Sequence, residues 1–362
     1  MAGAAMVSAV PSYALDADRY ASESKLARGT WVKVKVSGVG MHVISDSQLR
    51  QMGFSDPAKV HVYGTGGRQV SFGLTEDMPD DLPLQPSVHT SKGITFFAFD
   101  HFTWSRSIDG SDTPYTHTIH AFCDDNYYFL SDVETSQSIA DSDNTTAEAG
   151  ENVISDYICR SVYEQDLEYA GESGSQIYGE DFRSKRTQSF ELSRIDAIDG
   201  DMTVKVRFAA KTTGGTSRLS FKANGESVET SETDKIDSSS AQQYCKVTET
   251  TKKLSNLNGN VKYDITYSPT GVLFMARLDY IESFYRRALR LDNGELYFYG
   301  TYNSGETLSV SGCSSACEVW DITDAARATK VSYTLQGDKA MWSLTSGGYR
   351  EYVVFDPDKI SH

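Results

Sequence analysis

The sequence lacks the features on which several classes of protein depend. It contains no apolar run of about 18 residues, the length that a membrane-spanning helix needs, and no cluster of Lys and Arg suited to a phosphate backbone. Asp and Glu number 50 against 34 Lys and Arg, which gives a formal net charge of −16. The composition therefore predicts no transmembrane helix and no nucleic-acid partner.

Cysteine is scarce and scattered. The five residues are an odd number and stand at positions 123, 159, 245, 313 and 317, so they do not form the dense disulfide framework of small secreted domains. Cys313 and Cys317 are the one plausible local pair, and either a disulfide or two free thiols is compatible with their spacing. A zinc site would need further ligands nearby, and none stands at a suitable spacing.

Familiar catalytic motifs are missing as well. The chain has no Gly-x-Ser-x-Gly elbow, no His-Glu-x-x-His and no dinucleotide fingerprint. His120 and Cys123 are close enough in sequence to suggest a thiolate–imidazole dyad, and His117 and His120, near Asp124 and Asp125, suggest a metal site. Residues three apart on a strand point to opposite faces. We therefore assign no catalytic, cofactor-binding or metal-binding residue from the sequence.

Strand-forming residues are abundant. The 21 Tyr and 16 Phe stand among Val and Thr in short segments that suit pleated, half-buried surfaces. Segments 31–36 and 202–208 alternate apolar and polar side chains, and 94–99 is apolar enough for a central strand. Asn-Gly pairs at 224–225 and 293–294 predict tight hairpin turns. We predict an all-β fold of two β-sandwich-like domains with one or two short helices.

One short helix is predicted after Ser45. Ser45 and Gln48 have the spacing of a capping box, and Gly53 stands where the residue after a helix end belongs. The glycine run at 64–67 follows a strand but is not followed by Lys and Ser or Thr. It therefore predicts a turn rather than a phosphate-binding loop.

Composition divides the chain into five segments. Residues 1–14 are small and apolar and end on a small-x-small triplet, as a truncated signal-peptide remnant would, which predicts export. Residues 131–156 carry seven acidic side chains and no basic one. An exposed, mobile acidic linker at 136–156 is favoured over a calcium site, because no calcium-loop pattern is present. The remaining segments are a β domain at 15–135, a β-sandwich domain at 157–312, and a β segment at 313–362 leading to a missing C-terminal domain.

A set of short motifs, ordered along most of the chain, resembles one known family. The motifs are 29–36 (GTWVKVKV), 40–44 (GMHVI), 49–54 (LRQMGF), 59–64 (KVHVYG), 66–67 (GG), 80–82 (DDL), 96–99 (FFAF), Trp104, 126–130 (NYYFL), 163–166 (YEQD), 178–182 (YGEDF), 278–281 (LDYI) and 319–324 (VWDITD). Their order and spacing resemble the N-terminal region of PorU-type sortases, which are gingipain-related cysteine peptidases of the type IX secretion system. Ser175 and Ile177 depart from the family pattern, where Arg and Trp are expected.

The resemblance implies a non-catalytic β-domain region that precedes a cysteine peptidase domain and positions or shields it. The family's catalytic His and Cys belong to a domain beyond residue 362, so no catalytic residue carries over. The implied location is the periplasm or cell surface of a Gram-negative bacterium. The implied partners are the downstream peptidase domain and, beyond it, secreted protein substrates or cell-surface glycans.

The alternative is a stand-alone surface module that binds a glycan or a protein partner. Tyr297, Tyr299 and Tyr302 are its candidate stacking residues, although tyrosines at such positions often pack in a core or at its rim. Asp321 and Asp324 have two interpretations: they cap a turn or helix start, or they contact the missing domain.

Overall fold

The computed structural model describes residues 20–65, 69, 79–107, 113–133, 139–171, 174, 176–236 and 244–360. Within these ranges the chain is mostly antiparallel strand, with one α-helix, α1 (Asp46–Gln51), and short 3-10 turns at Lys25–Ala27, Pro57–Lys59 and Ala325–Arg327. The expected all-β fold class is confirmed. The triplet that ends at Ala14, and Gly66 and Gly67 of the predicted turn, lie outside the described residues.

The N-terminal region consists of two small sheets and a hairpin. Its strands are β1 (Trp31–Val36), β2 (Gly40–Ile44), β3 (His61–Tyr63), β4 (Leu84–Gln85), β5 (Ser87–Thr90), β6 (Gly93–Ala98), β7 (Phe102–Arg106), β8 (Tyr115–Ile119) and β9 (Asn126–Ser131). One sheet has the order β1-β9-β3-β4 and the other β2-β6-β5, while β7 and β8 pair with each other. Apolar side chains of both sheets share one core with Leu49 of α1 and Phe54.

Local sequence signals are confirmed in this region and beyond. The Ser45 hydroxyl accepts from Gln48 N–H at 3.3 Å and the Gln48 side chain accepts from Ser45 N–H at 2.9 Å, which is a complete capping box. Asn224 and Gly225 have φ values of 51° and 88°, as a two-residue hairpin turn requires. Such turns are encoded locally, because few residues adopt positive φ without strain.

The middle sandwich follows two short strands, β10 (Thr145–Thr146) and β11 (Val153–Ile154), that belong to a later sheet. Its own strands are β12 (Asp156–Glu164), β13 (Glu168–Tyr169), β14 (Ile177–Tyr178), β15 (Thr187–Leu192), β16 (Met202–Thr212), β17 (Ser217–Ala223), β18 (Glu226–Thr233), β19 (Lys246–Leu254), β20 (Val261–Ser268) and β21 (Phe274–Ala288). Sheet β12-β21-β16-β19 packs on sheet β15-β20-β17-β18 around a shared apolar core.

The C-terminal sandwich is formed by the rest of the chain together with β10 and β11. Its further strands are β22 (Glu295–Tyr302), β23 (Thr307–Val310), β24 (Glu318–Asp321), β25 (Thr329–Lys330), β26 (Thr334–Gln336), β27 (Lys339–Leu344) and β28 (Gly348–Phe355). Its two sheets are β10-β27-β23-β11, with β26 beside β27, and β22-β28-β24-β25. The two ends of the middle sandwich meet beside it, because Leu289 N–H donates to Ser155 O at 2.8 Å.

The segment predicted as an exposed, mobile linker lies in this sandwich wherever it is described. Within 139–156, β10 pairs antiparallel with β27, β11 pairs parallel with β23, and Ala140 O accepts from Lys330 N–H at 2.8 Å. These residues therefore form backbone pairs with later strands, while the mobility of the segment stays a prediction. Composition gave no sign of the pairing, because an edge strand gains its hydrogen bonds through the backbone and needs few apolar side chains. The domain boundaries themselves stay a prediction.

A shared apolar cluster joins the N-terminal region to the C-terminal sandwich. Phe97 and Phe99 of the first region pack in it with Trp320, Val353 and Phe355 of the second. The Trp320 ring meets the Phe355 ring edge to face at 5.1 Å between centroids. No helix in the described ranges has the length and apolar character required to cross a membrane.

Trp320→Ala is expected to lower the free energy of unfolding by about 3–5 kcal/mol, because the indole is fully buried and its loss leaves a cavity. Urea denaturation followed by intrinsic fluorescence measures the change. The matched control is Phe122→Ala, since the Phe122 side chain is 73% exposed. An unfolding midpoint for Trp320→Ala equal to that of the control would contradict the buried position.

Candidate functional site at the junction of the three regions

The most distinctive polar cluster lies where hairpin β7–β8 packs on the middle sandwich. His117, on β8, donates or accepts through both ring nitrogens: Nδ1 lies 2.6 Å from Glu282 Oε1 and Nε2 lies 2.6 Å from Glu164 Oε2. The His117 backbone N–H also donates to Glu282 Oε1 at 3.0 Å. The side chains of His117, Glu164 and Glu282 are only 3%, 7% and 0% exposed. We call these three residues the glutamate clasp.

Strand register explains how the clasp forms. Glu164, at the end of β12, is paired with Tyr280 of β21, and Val162 is paired with Glu282. Paired residues, and residues two apart on one strand, point to the same face of a sheet, so Glu164 and Glu282 share a face. Lys205 of β16 is paired with Glu282 in the register and its ammonium lies 3.3 Å from Glu282 Oε2. Tyr280 and Trp104 flank the imidazole at centroid distances of 4.6 and 5.5 Å.

The clasp holds His117 in its charged form. Burial by itself lowers the pKa of His117, but the hydrogen bonds and charges of Glu164 and Glu282 outweigh burial and raise that pKa to about 9. Burial by itself raises the pKa of Glu282. The hydrogen bonds from His117 and the charges of His117 and Lys205 outweigh burial, and the Glu282 pKa lies below its usual range. A charged imidazole between two carboxylates, closed off from solvent, ties elements together and offers no accessible acid or base.

A cavity of about 500 Å³ lies beside the clasp, where all three regions meet. Its walls come from the segment that leads into β7, from β12 and from β22, with Phe99, Asp100, Trp104, Arg160, Glu295, Tyr297 and Tyr299 among the lining residues. Glu295 reaches across from the C-terminal sandwich and accepts from Met41 N–H at 3.0 Å. The cavity therefore depends on the relative position of three separate parts of the chain.

Arg160 lies on one wall of this cavity within an aromatic cage. Its guanidinium carbon is 3.6 Å from the Tyr299 ring centroid and 4.7 Å from that of Tyr115. Its nitrogens donate to the hydroxyls of Tyr297 at 3.3 Å and Tyr349 at 3.4 Å.

The hydroxyls of Tyr297 and Tyr349 both donate hydrogen bonds to the Glu351 carboxylate. Tyr297 donates to Glu351 Oε2 at 2.8 Å and Tyr349 donates to Glu351 Oε1 at 2.9 Å. The two tyrosines thus link the Arg160 cation to the Glu351 anion, so that this buried charge pair is bridged by hydrogen bonds.

The candidate glycan-stacking tyrosines do not present open ring faces to solvent. Tyr299 and Tyr302 are 3% and 6% exposed and belong to the core of the C-terminal sandwich, and Tyr297 is engaged in the Arg160 network. A stacking platform needs an open ring face. These three residues are packing and network residues here, so they are withdrawn as glycan contacts.

The other residues singled out from the sequence have local roles. His120 Nδ1 accepts from Phe122 N–H at 3.2 Å, and Asp125 pairs with Lys35 at 2.7 Å. Asp324 caps the short 3-10 turn by accepting from Ala326 N–H at 3.1 Å, and Asp321 accepts from Thr323 N–H at 3.0 Å. Both ring nitrogens of His117, considered above as a metal ligand, are occupied by glutamates. In the described part of the chain, no group of three His, Cys, Asp or Glu is arranged to hold a metal ion.

Glu164, Glu282 and Arg160 were missed by sequence reasoning. One signal was available for Glu282, which stands between the apolar residues Ile281 and Phe284 in a segment rich in large apolar side chains. Charged residues are rarely fully buried unless they have a partner. That partner, His117, is 165 residues away along the chain, so the sequence pattern could not identify it.

One solved structure is similar to nearly the whole chain. A crystal structure of dimeric latent PorU from Porphyromonas gingivalis matches 95% of this chain at 25% sequence identity, with a TM-score of 0.82. The chain has a PorU-like fold. It spans 33% of the length of the solved PorU chain.

Other solved structures resemble this chain much less. A CBM36 carbohydrate-binding module in complex with calcium and xylotriose matches 27% of this chain and 71% of its own at 16% identity, with a TM-score of 0.19. The delta-endotoxin Cry8Ea1 from Bacillus thuringiensis matches 49% of this chain and 31% of its own at 13% identity, with a TM-score of 0.27. Agreement at this level carries no functional argument. No protein-family model matches the chain, and no curated protein matches it.

The clasp predicts a specific pH dependence. The folded-state pKa of His117, about 9, lies above the ordinary value of 6.5, so the stabilisation is fully present below pH 6.5 and is lost as the pH rises through 9. His117→Gln removes this pH-dependent stabilisation. The difference in unfolding free energy between wild type and His117→Gln is expected to shrink by about 3 kcal/mol from pH 6 to pH 9.5.

Chemical denaturation at several pH values measures this difference. His120→Gln is the matched control, since His120 follows directly after β8 and lies outside the clasp. The control is expected to retain the wild-type pH profile. A constant wild-type advantage over His117→Gln from pH 6 to 9.5 would show that the imidazole does not carry a charge held by the two glutamates.

Arg160→Lys is expected to lower the unfolding free energy by about 2 kcal/mol, because an ammonium cannot stack flat on Tyr299 while donating to two hydroxyls. Arg218→Lys is the control, since Arg218 forms an exposed ion pair with Glu232 and such pairs contribute less than about 1 kcal/mol. Urea denaturation at pH 7 compares the two. Equal changes in both variants would contradict the role of the cage.

Proposed function

We propose that this chain is the non-catalytic β region that precedes the peptidase domain of a PorU-like, gingipain-related cysteine peptidase. The single observation that carries the proposal is the PorU likeness, which spans 95% of this chain but 33% of the PorU chain. The ordered motifs of the sequence support the same assignment. In this reading the region positions or shields a downstream catalytic domain, and its own residues perform no chemistry.

The contacts between the three regions support a positioning role. The glutamate clasp ties hairpin β7–β8 to the middle sandwich, and the cluster around Trp320 and Phe97 ties the N-terminal region to the C-terminal sandwich. A scaffold fixed by one buried charge cluster and one apolar cluster presents its surfaces in a defined geometry. Such a scaffold is suited to hold another domain in place.

The proposed setting is the periplasm or the surface of a Gram-negative bacterium, as part of type IX secretion. The apolar segment at residues 1–14 and its closing triplet support export. The proposed partners are the peptidase domain itself and, through it, secreted protein substrates or cell-surface glycans. The alternative is a stand-alone module that binds a glycan or a protein. It is less well supported, because Tyr299 and Tyr302 pack in the core and Tyr297 is engaged with Arg160.

The experiment is to determine the coding sequence beyond residue 362, express the extended protein and assay thiol-dependent peptide cleavage beside chain 1–362. We expect the extended protein to cleave and chain 1–362 to be inert. A matched variant of the extended protein, with its downstream active-site Cys changed to Ala, is expected to lose cleavage.

Two outcomes would overturn the proposal. One is a stop codon directly after residue 362 in the natural gene, and the other is an extension without thiol-dependent activity. Either would make a glycan array and a protein-interaction screen with chain 1–362 the decisive next test of the stand-alone alternative.

A further inference from the structure

Two cysteines lie on the crossing between the two sheets of the C-terminal sandwich. The segment from β23 to β24 leaves one sheet and enters the other, and it carries Cys313 and Cys317. Both side chains are buried in the same apolar core, with residue exposures of 6% and 5%. Neither belongs to the clasp, the aromatic cage or the cavity described above.

The local backbone folds the two cysteines toward each other. Cys317 N–H donates to Ser314 O at 3.2 Å, which closes a turn between the two positions. Ser314 N–H in turn donates to Cys317 Sγ at 3.3 Å, while the Cys313 thiol donates to Val310 O at 3.4 Å. Both cysteines are free thiols in the structure, and their side chains contact each other through a hydrogen bond. Such an approach of the two side chains is what a disulfide requires.

The sulfur atoms also influence each other's ionisation. The Cys313 thiol, ahead of the Ser314 amide and against the effect of burial, lowers the pKa of Cys317 to about 6. The Cys313 pKa is raised, first by its contact with Cys317 and then by burial. Cys317 is therefore the more acidic thiol of the pair and the better nucleophile.

We propose that Cys313 and Cys317 form an intramolecular disulfide that staples this crossing. The other three cysteines, at positions 123, 159 and 245, lie on separate segments and remain thiols. The inference concerns the chain's own covalent structure and does not depend on the proposed function. The oxidant is an external disulfide, carried by a protein oxidoreductase or by oxidised glutathione.

The reaction balances as two thiol–disulfide exchanges. The Cys317 thiolate attacks one sulfur of the donor disulfide, forms a mixed disulfide and releases one donor thiolate. Cys313 then loses its proton, attacks Cys317 Sγ and releases the second donor thiolate. Two electrons pass from the cysteine pair to the donor disulfide, and the one proton, from Cys313, goes to a released donor thiolate.

The disulfide would restrain a connecting segment that contacts several parts of the sandwich. Asp338, in the turn between β26 and β27, accepts from Cys313 N–H at 2.8 Å through its carbonyl and from Gly312 N–H at 3.1 Å through its carboxylate. The Tyr333 hydroxyl donates to Cys317 O at 2.7 Å. Fixing residues 313–317 by a covalent bond therefore restrains both sheets at the point where the chain passes between them.

The test uses chain 1–362 refolded in the presence of oxidised glutathione, then denatured and alkylated with iodoacetamide without reductant. Trypsin leaves Cys313 and Cys317 together on the peptide 291–327. We expect this peptide to carry no alkyl group and to be lighter than its reduced form by two hydrogen atoms. The peptides that hold the other three cysteines are expected to be alkylated and serve as internal controls.

Variants and a reductant separate the staple from a chance oxidation. Dithiothreitol is expected to lower the Tm of the refolded wild type by about 4 °C or more, since a cross-link chiefly restrains the unfolded chain, and to leave the Tm of C313S/C317S unchanged. In C313S the disulfide cannot form, and peptide 291–327 is expected to carry one alkyl group, at Cys317. Alkylation of both cysteines in the refolded wild type, or an equal effect of dithiothreitol on both proteins, would overturn the proposal.

Discussion

The junction between the N-terminal hairpin and the middle sandwich depends on one charged histidine between two buried glutamates. His117 brings a single positive charge into contact with Glu164 and Glu282, and Lys205 adds a second cation on the far side of Glu282. Two carboxylates buried without these cations would carry a large desolvation penalty. The hairpin therefore cannot leave the middle sandwich without exposing these charges to solvent or leaving them without partners.

The second constraint is geometric, because the cavity and the aromatic cage exist only when the three regions are in place. Arg160 comes from the middle sandwich, Tyr115 from the N-terminal hairpin, and Tyr297, Tyr299 and Tyr349 from the C-terminal sandwich. The arginine is thus surrounded by partners that only the assembled fold provides. A planar guanidinium serves here because it stacks on rings and donates in several directions at once.

Much of the secondary structure could be predicted from local signals, since those signals act over a few residues. The alternation at 31–36, the capping box at Ser45 and the Asn-Gly turn at 224–225 each encode their geometry within one segment. The clasp could not be predicted in this way, because Glu164 and Glu282 are 47 and 165 residues from His117. The surroundings of the β22 tyrosines could not be predicted from the sequence either. Alternation predicts that they lie on a strand, but not which element covers them.

The pairing of β10 and β11 with strands that come much later makes the middle sandwich an insertion. Its first and last strands run side by side, with Asp156 opposite Ala288, and Leu289 N–H reaches back to Ser155 O. The host sandwich is therefore discontinuous, and its sheets close only after the inserted domain has been synthesised. Such distant pairings slow folding. The adjacent entry and exit also mean that residues 156–288 can be replaced by a short connector without separating the ends of the host.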